Sequence, residues 1–123
     1  MILVDTHIYV WARLRSSALT PRERRFFDEG AVCFVSIVSL WEISTLIRLG
    51  RLQDSQDLLR LPEGFSPLPL STAHCLEYQR LPLLHRDPFD RMLIAQARVE
   101  ALSFLSRDTA FDAYVRQGLV TLA

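Results

Sequence analysis

Apolar residues open the chain, with Met1 to Val4 running without interruption into Asp5. An unbroken apolar run of this length reads as a strand covered on both faces. THIYVWARLR follows as a helix, with Ile8, Trp11 and Ala12 on one side. TPRERRFFDEG carries a complete helix-start signature: Thr20 at N-cap, Pro21 at N1, Glu23 closing a capping box, and Gly30 as the stop. AVCFVSIV, residues 31–38, predicts a second buried strand. SLWEISTLIRLGRL predicts a helix ending near Gly50, with Leu40, Ile43 and Ile47 at helical spacing. SQDLLRL reads as a short helix or turn, and PEGFSPLPL as a loop with a short extended piece. STAHCLEYQRL predicts a helix capped by Ser71 or Thr72. PFDRMLIAQARVEA gives the clearest helix. LSFLSRD predicts a strand ending at Asp108, TAFDAY a helical turn, and GLVTL a last strand. Strands alternating with helices indicate an α/β domain with a mainly parallel sheet. The 123 residues fit one such domain, and neither a repeat nor a linker divides them.

Composition narrows the chemistry. The formal net charge is zero, so no global field advertises a nucleic-acid or membrane surface. All 14 basic residues are arginine, which excludes any mechanism needing a catalytic lysine. Cys33 and Cys75 stand too far apart to indicate a zinc site or a disulfide scaffold, and a reducing cytoplasm is the expected compartment. The N-terminus lacks the pattern of a secretory signal, and no apolar run is long enough to cross a bilayer.

In parallel α/β sheets, sites form beyond the carboxyl ends of the strands. Five acids fall at or near such ends. Asp5 ends the first strand, where it can also be a helix N-cap. Glu42 lies three residues after Ser39, at capping-box spacing. Asp108 ends the LSFLSR strand and can cap TAFDAY. Asp87 before Pro88 is a standard helix start. Asp90 is different: it shares a helical face with Ile94 and Ala97, where a carboxylate needs a partner. Carboxylates gathered at one end of the sheet repel one another, and a hard divalent cation relieves that conflict.

The segments LVDTHIYVW, SLWEI followed by GRL, HRDPFDRMLIAQA and SRDTAFDAY together resemble the PIN-domain ribonucleases, specifically the VapC-type toxins of toxin–antitoxin systems. They occur in family order and span nearly the whole chain. HRDPFDRMLIAQA is the most specific of them. The resemblance implies a three-layer α/β/α sandwich. It also implies an acidic centre of Asp5, Glu42, Asp90 and Asp108 that holds Mg²⁺ or Mn²⁺, and cleavage of RNA. A homodimer restrained by a cognate VapB-type antitoxin, whose other end binds operator DNA, is the expected assembly. Asp5, Asp90 and Asp108 are the expected metal ligands, with Glu42 orienting or deprotonating the attacking water. One position departs from the pattern: Leu46 stands where many relatives have a lysine, so an arginine must replace its charge or substrate preference differs. Arg48, Arg86 and Arg91 are the candidates. The run from Arg13 to Arg25 fits a solvated helical face as well as it fits RNA or an acidic partner.

Other functions are less well supported. A phosphoacceptor receiver needs paired acids after the first strand and a late lysine, and neither is present. No GxxxxGK[ST] or GxGxxG loop marks a nucleotide site. A PIN-like RNA- or protein-binding module without catalysis is the remaining alternative.

Overall fold

A computed structural model describes all residues from Met1 to Ala123. Four parallel strands form one sheet in the order β3-β2-β1-β4: β1 (Ile2–Val4), β2 (Cys33–Ser36), β3 (Phe65–Leu68) and β4 (Ser103–Leu105). Six helices surround it: α1 (Thr6–Arg13), α2 (Pro21–Asp28), α3 (Ile37–Arg48), α4 (Thr72–Arg80), α5 (Pro88–Val99) and α6 (Asp112–Arg116). The expected α/β class with a parallel sheet is the observed one.

The period-2 alternation of β1 divides its side chains between two cores. Leu3 packs with Leu93, Ile94, Phe104 and Tyr114, beneath α5 and α6. Ile2 and Val4 pack with Ile8, Tyr9, Val35 and Ile43, beneath α1 and α3. Apolar layers on both faces explain why the strands read as unbroken apolar runs.

Several helix boundaries follow from their caps. Thr20 and Glu23 form both halves of the expected box, with bonds of 3.2 and 2.8 Å. Ser71, rather than Thr72, caps α4. Asp87 Oδ1 accepts from the amides of Phe89 and Asp90, and Pro88 occupies N1 of α5. Gly30 and Gly50 adopt positive φ just past α2 and α3, a conformation that costs glycine little.

Three elements differ from the sequence pattern. The second strand ends at Ser36, because the Ser36 hydroxyl accepts from the Val38 amide and starts α3 there. This makes Ser36 the N-cap and removes the expected Ser39–Glu42 capping box. The extended piece around residues 65–68 is a true edge strand. Pro67 lies within it, as an edge permits because no neighbour there needs its amide. The C-terminal segment is not a strand but a single parallel bridge, Leu122 to Phe104. Its backbone still bonds to β4 through Phe104 N–H to Thr121 O and Ala123 N–H to Phe104 O.

Candidate metal centre

The carboxyl ends of β1, β2 and β4 point the same way and deliver the sequence-predicted acids to one end of the sheet. Asp5 follows β1 at the N-cap position of α1, yet its side chain makes no cap bond. It is buried, and its Oδ2 accepts a 2.7 Å bond from the Ser106 hydroxyl. The Ser106 oxygen in turn accepts from the Asp108 amide at 3.2 Å, so one serine ties the turn after β4 to the end of β1. Asp108 remains exposed. Its Oδ1 accepts from the Ala110 amide at 2.9 Å, which is the capping role its position predicted. Asp5 and Asp108 line one cavity of about 360 Å³ with His7, Ile8, Trp11 and Arg107.

The other two acids lie on helices and do not line that cavity. Glu42 is half-buried on α3. Released from a capping role, it faces the Thr6 hydroxyl, which also donates a 2.8 Å bond to the buried Ser39 hydroxyl. Asp90 lies in the first turn of α5 with only 16% of its side chain exposed, and His85 Nε2 lies 2.9 Å from its Oδ2. His85, Asp87 and Asp90 offer ligand atoms within 4.8 Å of one another. Asp87 Oδ1 is already engaged by two backbone amides.

The electrostatics bind these groups into one set. Burial raises the Asp5 carboxyl above its ordinary range, and Asp108 adds to this, against the lowering influence of Ser106, His7 and the Thr6 amide. Burial likewise raises Glu42, with Asp87 and Asp5 adding repulsion while the Thr6 hydroxyl and His7 oppose it. Asp90 is pushed up to about 6, chiefly by burial and then by Asp87, with smaller contributions from Asp5 and Glu42; the His85 bond pulls the other way. Asp5 is therefore within electrostatic reach of Glu42, Asp90 and Asp108. No lysine exists to neutralise this charge. An all-oxygen carboxylate set under mutual repulsion suits a hard divalent cation such as Mg²⁺ or Mn²⁺.

The arginines sort differently from the sequence reading. Arg91 is no phosphate ligand: it is buried, donates to Pro82 O at 2.9 Å and Tyr114 Oη at 3.0 Å, and lies 4.8 Å from the Tyr78 ring centre. It ties the loop before α5 to α4 and α6. Arg48 and Arg86 are exposed. The arginine that lines the cavity of Asp5 and Asp108 is Arg107, which sequence reasoning passed over. Its only signal there was adjacency to Asp108.

A family model, the PIN domain, matches residues 2–117. The chain belongs to the PIN-domain family. Solved structures of similar fold include VapBC2 from Rickettsia felis bound to a DNA fragment from their promoter. There the identity is 13%, the TM-score 0.73, and coverage 100% of this chain and 98% of that one. FitAcB from Neisseria gonorrhoeae is 18% identical with a TM-score of 0.67, covering 100% and 97%. A toxin–antitoxin complex from Klebsiella pneumoniae is 16% identical with a TM-score of 0.62, covering 90% of each chain. No curated protein sequence matches the chain significantly. No helix is long and apolar enough to cross a membrane.

Proposed function

We propose that the chain is a metal-dependent endoribonuclease toxin of the VapC type, working in the cytoplasm and neutralised by a cognate VapB-type antitoxin. The observation that supports this reading is a buried Asp5 and two half-buried acids, Glu42 and Asp90, all raised by burial and each of the latter two also by Asp5, at the carboxyl end of a PIN-domain sheet. PIN domains are generally nucleases. The antitoxin partner is supported by the structural neighbours, two of which are VapBC2 with promoter DNA and a toxin–antitoxin complex.

Asp5, Asp90 and Asp108 would hold the ion, Mg²⁺ or Mn²⁺. When bound, it supplies positive charge to the phosphate and acidity to water. Glu42 serves as the base, because a carboxyl raised by burial accepts a proton nearer neutral pH than an exposed one does. Ser106 fixes Asp5 and His85 fixes Asp90, while the Thr6 hydroxyl lies near enough to Glu42 to favour its charged form. The exposed apolar face around Trp41, which meets Phe89 edge-on at 5.0 Å, is the surface a second copy would cover in a homodimer.

Purified protein free of antitoxin should cut RNA in Mg²⁺ or Mn²⁺ and stop in chelator. Asp5→Asn and Asp90→Asn should abolish cutting while circular dichroism stays unchanged. Equal cleavage by wild type and both variants would overturn the proposal.

A further inference from the structure

The cavity of Asp5 and Asp108 has a second wall that the four acids do not explain. Besides the two acids, Arg107, Trp11, Ile8 and His7 line it. The Arg107 guanidinium sits 4.4 Å from the Trp11 ring centre, close enough for a strong cation–π contact. It also donates through Nη2 to the Ala18 carbonyl. Its Nε stands 3.6 Å from the carboxylate of Glu23, a buried residue whose other oxygen closes the α2 capping box. Three separate segments therefore brace one cation. The Arg107 side chain is still 40% exposed and lines the cavity.

On the ribonuclease reading, the anion that reaches this cavity is a phosphodiester. Asp5 and Asp108 repel any anion entering from their side, so an approaching chain gains only where a cation faces it. A guanidinium matches the fork of two phosphate oxygens. Trp11, beneath the guanidinium, adds an apolar face to the cavity lining. Arg91 is committed to the core and Leu46 carries no charge, so Arg107 supplies the positive charge that the sequence left unassigned.

We propose that Arg107, braced on Trp11 at the cavity of Asp5 and Asp108, binds the RNA phosphate beside the one being cleaved. This rests on the ribonuclease reading above. Bracing holds the guanidinium in place before RNA arrives, so binding loses little side-chain entropy. The contact forms equally with substrate and transition state, and so acts on KM rather than kcat.

The test compares wild type, Arg107→Ala, Arg107→Gln and Trp11→Phe as full chains. Arg107→Gln retains a polar side chain over Trp11 and covers the case in which the alanine variant folds poorly. Affinity for a fluorescein-labelled single-stranded RNA 12-mer is read by anisotropy in chelator, without cleavage. Steady-state cleavage of the same RNA is read in Mn²⁺. Arg107→Ala and Arg107→Gln should each weaken binding and raise KM by about tenfold, with kcat within about twofold of wild type. Trp11→Phe, which keeps a weaker aromatic brace, should weaken binding and raise KM by about threefold, less than either Arg107 variant. Cleaving variants with wild-type RNA affinity and KM would overturn the Arg107 assignment and leave the ribonuclease reading intact. A fall in kcat at unchanged affinity would also overturn it, by placing Arg107 in the chemical step. A wild type that cuts no RNA in Mn²⁺ would overturn both readings.

Discussion

Asp90 should destabilise the metal-free protein at neutral pH, and Asp90→Asn should therefore raise its stability. The folded chain holds this carboxyl at about 6, against 3.8 for a free one. An acid with a raised folded value contributes its full stabilisation below the unfolded value. That contribution is lost as pH rises through the folded one. For Asp90 it is complete below pH 3.8 and gone above about pH 6. A shift of about two units corresponds to about 3 kcal/mol at roughly 1.36 kcal/mol per unit. The 16% exposure of the side chain lets water screen part of this, so about half is a fair expectation. Asparagine keeps an oxygen for His85 but weakens a charge-assisted bond, costing roughly 0.5 kcal/mol. The net gain is about 1 kcal/mol, or about 4 °C in Tm for a domain of this size. Thermal unfolding in chelator at pH 7.5 should show it. At about pH 3.5, below the unfolded value, both states of the wild type carry most of the proton, and the difference should nearly vanish. A variant less stable than wild type at pH 7.5, or a gain equal at both pH values, would refute the reasoning. Saturating Mn²⁺ should reverse the order, because ligand at a hundred times its Kd stabilises the wild type by about 2.7 kcal/mol.

Other expectations follow from single contacts. Arg91→Ala should cost about 2–4 kcal/mol in urea unfolding, because it opens a cavity and removes the charged donor that links Pro82 O, Tyr114 Oη and the Tyr78 carbonyl; a loss below about 0.5 kcal/mol would contradict a core role. His85→Ala removes the one hydrogen bond that lowers Asp90, so the pH of half-maximal Mn²⁺ binding should move upward; an unchanged or lower midpoint would show that the bond does not tune the site. If the proposed homodimer forms through the exposed apolar face, Trp41→Glu should shift sedimentation velocity from the dimer expected of wild type to a monomer; identical sedimentation would remove that face from the interface.

The sequence made local signals legible and hid distant ones. The α5 start could be read from Asp87 and Pro88 alone, because a cap and its amides are two or three residues apart. The parting of Asp90 from Asp87 was legible for the same reason: one residue caps and the other lies along the apolar face. The β2–α3 boundary was hidden because strand and helix start are both buried, so hydrophobicity does not change where Ser36 caps. That error gave Glu42 a capping partner it does not have. Arg107 was hidden by topology. Trp11, Ala18 and Glu23 lie at least 84 residues earlier in the chain, and only the return of β4 alongside β1 brings them together. Arg91 showed the converse: beside a candidate ligand in sequence, it points into the core.

The central claim is that Asp5, Asp90 and Asp108 together make one divalent-cation site. The most direct measurement is calorimetric titration of the chelator-treated full chain with Mn²⁺ at pH 7.5, for wild type, Asp5→Asn, Asp90→Asn and Asp108→Asn. Saturable binding to wild type, weakened at least tenfold in each variant while the fold persists, is the expected result. Wild-type affinity in all three variants would contradict the account.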